Sequence, residues 1–282
     1  MKTAVVTHSS IKRIILLALL FLLALASAYL FRDIIREKFE LALLPLSSDQ
    51  KKTSIELPRT IAHAAGDIDG RKYSNSLEAL NINYRKGYRF FEMDFNWTTD
   101  RDLVAIHDWH STVKKLSSGN AQPGKTSTRE FLALSSTTQL THMTISMVAE
   151  WLQQNRDAYI VTDIKEDNLE GLTIISGRFP DAIDQIIPQV YRFPQYDKAR
   201  GLGFRNVILT LYLSRYTDKG VVEFSKNSQP YAITMPIERA LSDLPKKLSK
   251  VGIPSYSYGI SEPDLEKRVL SNGVHGLYTL VL

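Results

Sequence analysis

From residue 58 to the C-terminus, short apolar runs rich in β-branched and aromatic residues alternate with stretches of helical periodicity, and this alternation restricts the fold more than any other feature. The apolar runs are "TIAHAAG", "FFEMDF", "LVAIHD", "YIVTDIK", "IIPQVY", "NVILTLY", "YAITMP", "IPSYSYGI" and "HGLYTL". Helical patterns such as "SNSLEALNINYRKG", "TISMVAEWLQQN" and "SEPDLEKRVLSNG" lie between them. Strands separated by helices build a parallel sheet with crossover connections. About 225 residues with this many units approach the roughly 250 typical of a (β/α)8 barrel. The expected fold is therefore an α/β, (β/α)8 TIM barrel over residues 58–282. Nine strand candidates compete for eight places, and the closely spaced 90–107 region is where one should be an extra strand or hairpin partner. A doubly wound open sheet is the rival fold. It would usually begin with a glycine-rich phosphate loop, and "HAAGDIDG" is neither G-x-G-x-x-G nor a P-loop.

Ahead of the barrel, "IILLALLFLLALASAYLF" (residues 14–31) is eighteen residues without a charge. At about 1.5 Å per residue it nearly spans a hydrocarbon core of about 30 Å. Lys2, Lys12 and Arg13 precede it and "ALASA" offers small residues for cleavage, as in a signal peptide. The run exceeds the usual signal core of about 7 to 15 residues, which favours an uncleaved anchor. The expected organisation is a short basic tail (1–13), a transmembrane or signal segment (14–31), and a linker (32–57) that begins as an amphipathic helix and passes into "PLSSDQKK". Arg32, Arg36 and Lys38 come after the span, so the positive charges flanking it are nearly balanced. The short basic tail argues for export of the C-terminal domain. The expectation is a single-pass membrane protein with that domain on the periplasmic or extracellular face, or a secreted protein if the segment is cleaved.

Net charge is +5. Residues 1–57 carry eight Lys or Arg against five Asp or Glu, leaving 27 against 25 for the rest. A near-neutral domain without basic runs is a poor partner for nucleic acid. With no cysteine, disulfides, thiolate metal sites and a Cys nucleophile are excluded.

In a barrel of this type, functional residues sit at the C-terminal ends of the strands. The unusual polar residues fall there: His63 in the first run, Glu92 and Asp94 in the second, His107 and Asp108 in "LVAIHD", Asp163 and Lys165 in "YIVTDIK". Strand alternation puts Glu92 and Asp94 on one face, opposite Phe91, Met93, Phe95 and Trp97. Two buried like charges would force one carboxyl to keep its proton unless a cation intervenes. With Asp163 reaching the same mouth, three hard oxygen ligands suit Mg²⁺ or Ca²⁺. Lys165 offers a cation to an anionic substrate oxygen. His63 and His107 suit general acid and base work near neutrality. His110 is a weaker candidate for the same mouth, and His8, His142 and His275 carry no signal. Asn75 is readable as a helix cap, with Glu78 completing a capping box and Gly87 ending the helix, or as a ligand-binding residue at the mouth.

Taken in order, "HAAG", "YSNS", "EMD", "IHD", "DIK" and the closing "SNGVHGLYTLVL" resemble the glycerophosphodiester phosphodiesterases, TIM barrels of the phospholipase C-like phosphodiesterase superfamily. The resemblance runs from about residue 60 to 282. It implies a divalent ion on Glu92, Asp94 and Asp163, an acid/base pair of His63 and His107, and a small-molecule or lipid-derived phosphodiester as substrate. The family's Arg after the first His is Ala64 here, its Pro-Glu is Tyr73-Ser74, its third metal carboxylate is usually Glu where this chain has Asp163, and its final Asp is Leu280. The principal expectation is a membrane-anchored, metal-dependent phosphodiesterase acting on glycerophosphodiesters or related lipid head groups. The alternative is a non-catalytic barrel that binds an anionic glycan or lipid head group.

Overall fold

A computed structural model describes residues 8–44, 55–116, 119 and 124–280 of the chain. Among these are nine strands: β1 (Thr60–Ala62), β2 (Phe90–Trp97), β3 (Leu103–Ala105), β4 (Tyr159–Ile164), β5 (Ile186–Val190), β6 (Ile208–Thr210), β7 (Ala232–Met235), β8 (Ser255–Ser257) and β9 (Gly276–Thr279). All but β3 pair in parallel, and β1 bonds to both β2 and β9, which closes an eight-stranded barrel. The ninth strand lies where the spacing placed it. β3 returns antiparallel along β2, with Trp97 opposite Leu103 and Phe95 opposite Ala105.

Alternation along each strand divides the core in two. Phe91, Met93, Phe95 and Trp97 point outward into the large cluster shared with the helices, where Phe91 meets Trp151 edge-on. Phe90, Val161, Ile187, Ile208 and Ala232 fill the interior near the N-terminal ends of their strands. Two residues on, in Glu92, Asp163, Gln189, Thr210 and Thr234, the interior turns polar. The barrel is thus an apolar plug beneath a polar mouth.

Before the barrel runs one helix, α1 (His8–Ala42). Its 35 residues make it roughly 52 Å long. The expected membrane segment and amphipathic helix are continuous because no Gly or Pro interrupts the chain before Pro45. Among the described residues it is the one helix long and apolar enough to cross a membrane, and none of its most apolar window is buried. Residues 1–7 of the expected basic tail and 45–54 of the expected linker lie outside the described residues.

Candidate active site

A cavity of about 290 Å³ opens at the C-terminal ends of the strands, lined by His63, Glu92, Asp94, His107, Asp163 and Lys165 among others. Every strand-end residue singled out by sequence except Asp108 thus lines this cavity, while Asp108 bonds His107 and Asn75 bonds Asp94.

The carboxylates converge because of register. β2 and β4 pair with Asp94 opposite Asp163, so adjacent parallel strands present both side chains to the interior at one level, and Glu92 stands one interior position below. Ligand oxygens of Glu92, Asp94 and Asp163 lie within 4.8 Å of one another. Lys165 Nζ is 2.7 Å from Asp94 Oδ1 and 2.6 Å from Asp163 Oδ2. Tyr191 donates its hydroxyl to Asp163. Burial, then Asp94 and Asp163, push Glu92 well above the usual carboxylate range. Burial also raises Asp163. For Asp94 burial works the same way, but Lys165 and the two histidines outweigh it and hold its carboxyl low. With all three carboxyls ionised, the one ammonium leaves two negative charges, which a divalent cation would balance. The donors are all hard oxygens, so residues and ion fit.

Behind Asp94, Asn75 is fully buried. Its Nδ2 donates to Asp94 Oδ2 at 3.0 Å, and its Oδ1 accepts from the Asp94 backbone N–H, also at 3.0 Å. With φ of 47° it stands just outside α2 (Leu77–Arg85), whose cap is Ser76 rather than Asn75. Glu78 does not close a capping box; its carboxylate accepts from the backbone N–H and hydroxyl of Thr141. Both ends of the Asn75 amide are engaged by Asp94, so it positions a carboxylate instead of facing the cavity.

His63 opens a turn in which Ala64 and Ala65 both have left-handed backbones, φ 50° and 66°. Such conformations cost on the order of 1 kcal/mol or more each for non-glycine residues and concentrate at functional sites. The turn aims the Ala64 N–H at Glu92 Oε2, 2.9 Å away, and leaves His63 Nε2 3.7 Å from the same oxygen. Burial lowers the His63 pKa from 6.5 to about 4 despite Asp94 nearby. The imidazole is therefore neutral near pH 7.

His107 reaches the mouth by the β2–β3 hairpin and not at the end of a barrel strand. The hairpin folds back over the rim, where Asn96 Nδ2 holds the His107 carbonyl at 3.1 Å. His107 Nδ1 is 3.2 Å from Asp108 Oδ2. A carboxylate only accepts, so Nδ1 carries the proton and Nε2 is left for a ligand. Burial alone would raise Asp108; bonds from the Ser111 and Thr112 hydroxyls, His107 and the Ser111 N–H hold it far below its usual value.

Sequence reasoning did not find Tyr73, whose ring centroid is 5.2 Å from that of His63 and 5.3 Å from that of His107. It also missed Gln189, Tyr258 and Tyr278 in the wall. The period-two signal was present for Gln189, two residues after Ile187, and for Tyr258, two after Tyr256. Tyr73 sits in a loop at φ 60° and had no such signal. The remaining histidines are elsewhere. His110 is exposed, with its N–H on Asp108; His142 is buried against Thr138; His275 meets the Leu57 carbonyl at the N-terminal end of the barrel.

No family model and no curated protein matches the chain. Solved structures do. A provisionally assigned glycerophosphodiester phosphodiesterase from Galdieria sulphuraria superposes with a TM-score of 0.64 at 11% identity, over 81% of this chain and 96% of the other. The glycerophosphodiester phosphodiesterase of Thermotoga maritima gives 0.58 at 20% identity, over 79% and 95%. A phosphodiesterase from Oleispira antarctica, solved with its product sn-glycerol-3-phosphate, gives 0.57 at 15% identity, over 79% and 92%. What these proteins share with this chain is the closed barrel fold.

Proposed function

We propose that this chain, which folds as the glycerophosphodiester phosphodiesterases do, is a membrane-anchored phosphoric diester hydrolase that uses a divalent ion and a pair of histidines. The observation that carries the reading is that one cavity is lined by two imidazoles together with a cluster of three carboxylates and a lysine. A lone carboxylate cluster would serve many purposes; this combination suits displacement at phosphorus.

Glu92, Asp94 and Asp163 would hold Mg²⁺ or Ca²⁺, which supplies charge neutralisation on phosphoryl oxygens. Neutral His63 accepts the proton of a hydroxyl neighbouring the phosphodiester as that oxygen attacks phosphorus. His107 enters this step as the imidazolium, its Nδ1–H held by Asp108, and gives the second proton, on Nε2, to the departing alcohol as its P–O bond breaks. Water then opens the cyclic phosphate with the two roles reversed. Lys165, fixed between Asp94 and Asp163, adds positive charge at the cavity wall. The substrate class is a glycerophosphodiester or a lipid head-group phosphodiester, and α1 is read as an uncleaved anchor with the barrel outside the cytoplasm.

Tyr73 between the histidines, together with Ala64 in place of a phosphate-binding Arg, is what favours the non-catalytic alternative. Full-length protein assayed on a panel of phosphodiesters, with and without Mg²⁺ or Ca²⁺, separates the two. Hydrolysis is expected with either ion, falling about 10²- to 10⁴-fold in His63→Ala and His107→Ala and losing its metal dependence in Glu92→Ala. Ion-dependent binding of a phosphodiester without any turnover would support the binding module instead.

A further inference from the structure

Asp33, Glu37 and Glu40 form one face of α1, and all three are buried against the barrel. Arg215 Nη1 lies 3.2 Å from Asp33 Oδ2. Glu37 accepts from the Thr217 N–H at 2.6 Å and the Thr217 hydroxyl at 2.7 Å, and thereby occupies the N-terminus of the Asp218–Ser228 helix. Glu40 accepts from Arg192 and from the Tyr216 hydroxyl. The fit depends on Gly220, where a Cβ would collide with the Glu37 carboxylate. Acids lodged this specifically in a domain make α1 part of its structure and not a loose tether.

The direction of docking is set by chain order. Arg192 comes from the loop after β5, and Arg215 and Thr217 from the loop after β6, so α1 meets the barrel at the mouth end. Along α1, residues 32–36 border the mouth, while Leu41 and Leu44 pack lower down on the outer core. The apolar stretch ending at Phe31 therefore leaves the domain on the mouth side. Arg32, Arg36, Arg192 and Arg215 line a groove that includes Lys165, which also lines the catalytic cavity. Phe31, Ile35, Phe39 and Leu43, spaced by four on the opposite face from the acids, are 52 to 64% exposed. Leu213, at the groove's edge, has φ 51° and is 83% exposed.

We propose that the acidic face of α1 is a clamp that holds the mouth of the barrel against the membrane surface, and that the arginine-lined groove admits the phosphate of a lipid that stays in the bilayer. Arg32 directly succeeds the last residue of the apolar run and so lies at head-group depth, where clustered Lys and Arg attract phosphate. Phe31 and Ile35, at the mouth end of the outward stripe, and the displayed Leu213 suit the lipid boundary and would be unfavourable in water. The choice of a bilayer lipid as substrate rests on the phosphodiesterase reading, whereas the placement of the mouth rests only on the reading of α1 as an uncleaved anchor.

Two measurements on full-length protein in phosphatidylcholine–phosphatidylglycerol vesicles test the two halves. A nitroxide at Leu213 should be reached by oxygen and shielded from a water-soluble nickel chelate, while one at exposed Lys250, at the opposite end of the barrel, should behave as in bulk water. Equal access of the chelate to both labels would overturn the placement. Gly220→Val, which drives Glu37 out of its seat, and Glu37→Ala, which empties it, should each lower hydrolysis of the vesicle lipids at least tenfold and change hydrolysis of soluble glycerophosphocholine less than twofold. Parallel losses on both substrates, or no loss on either, would overturn the clamp. Failure of the unaltered protein to hydrolyse either substrate would sink the lipid-substrate half together with the phosphodiesterase reading, and the Leu213 label would still decide where the mouth sits.

Discussion

At the scale of the residue, the site is a set of charges made compatible by neighbours that never touch the cavity. Asn75 is the clearest case, because both polar atoms of its amide are spent on Asp94. Partners of this kind orient metal-binding carboxylates, and their loss typically lowers ion affinity about 10- to 100-fold. Asn75→Ala is therefore expected to weaken Mg²⁺ or Ca²⁺ binding by that factor, measured by calorimetric titration, with the fold retained in circular dichroism; unchanged affinity would leave Asn75 a merely local brace. Sequence offered two roles for this residue, helix cap and ligand contact. The third was not legible, since it depends on Ser76 taking over the cap and on a left-handed backbone that swings Asn75 toward a strand nineteen positions on. His63, His107 and the three carboxylates were legible individually, as polar residues at the ends of apolar runs.

At the scale of the element, closure of the barrel depends on β9 fitting between β1 and β8. Gly276 lies at that seam, where an added Cβ would collide with the Arg59 carbonyl oxygen and stand 2.7 Å from the Tyr256 ring. Backbone cannot yield as a side chain does, so Gly276→Ala should destabilise the domain by about 1 to 3 kcal/mol. A lowered urea midpoint with an unchanged slope would show this, and an unshifted midpoint would mean the seam relaxes freely. Strand identities were readable from β-branched runs and their spacing, including the surplus strand near residue 100. Register was not. Placing Asp94 opposite Asp163 needs the pairing of β2 with β4, sixty-odd residues apart, and nothing in either run encodes that alignment by itself.

For the whole molecule, stability should depend on pH through histidines buried in neutral form. His142 is buried with Nε2 2.9 Å from Thr138 Oγ1, and burial lowers its pKa from 6.5 to about 4. The folded chain binds this proton less readily than the unfolded chain, so the contribution is complete above pH 6.5 and is lost progressively as pH falls toward about 4. Unfolding free energy should drop by on the order of 1 to 2 kcal/mol from this group between pH 7 and 5. Urea titrations at both pH values should show a smaller drop in His142→Phe; an identical drop would assign the acid sensitivity elsewhere. By itself the sequence determined the barrel, the apolar N-terminal segment and the residues able to bear charge at strand ends, because hydrophobic period and strand spacing are local properties that survive in any context. Tertiary structure alone decided that β3 folds His107 back over the mouth, that Tyr73 stands between the histidines, and that Asp33, Glu37 and Glu40 turn the end of α1 into part of the barrel. Each of these joins segments far apart in the chain, and only packing of the complete fold determines which distant surfaces meet.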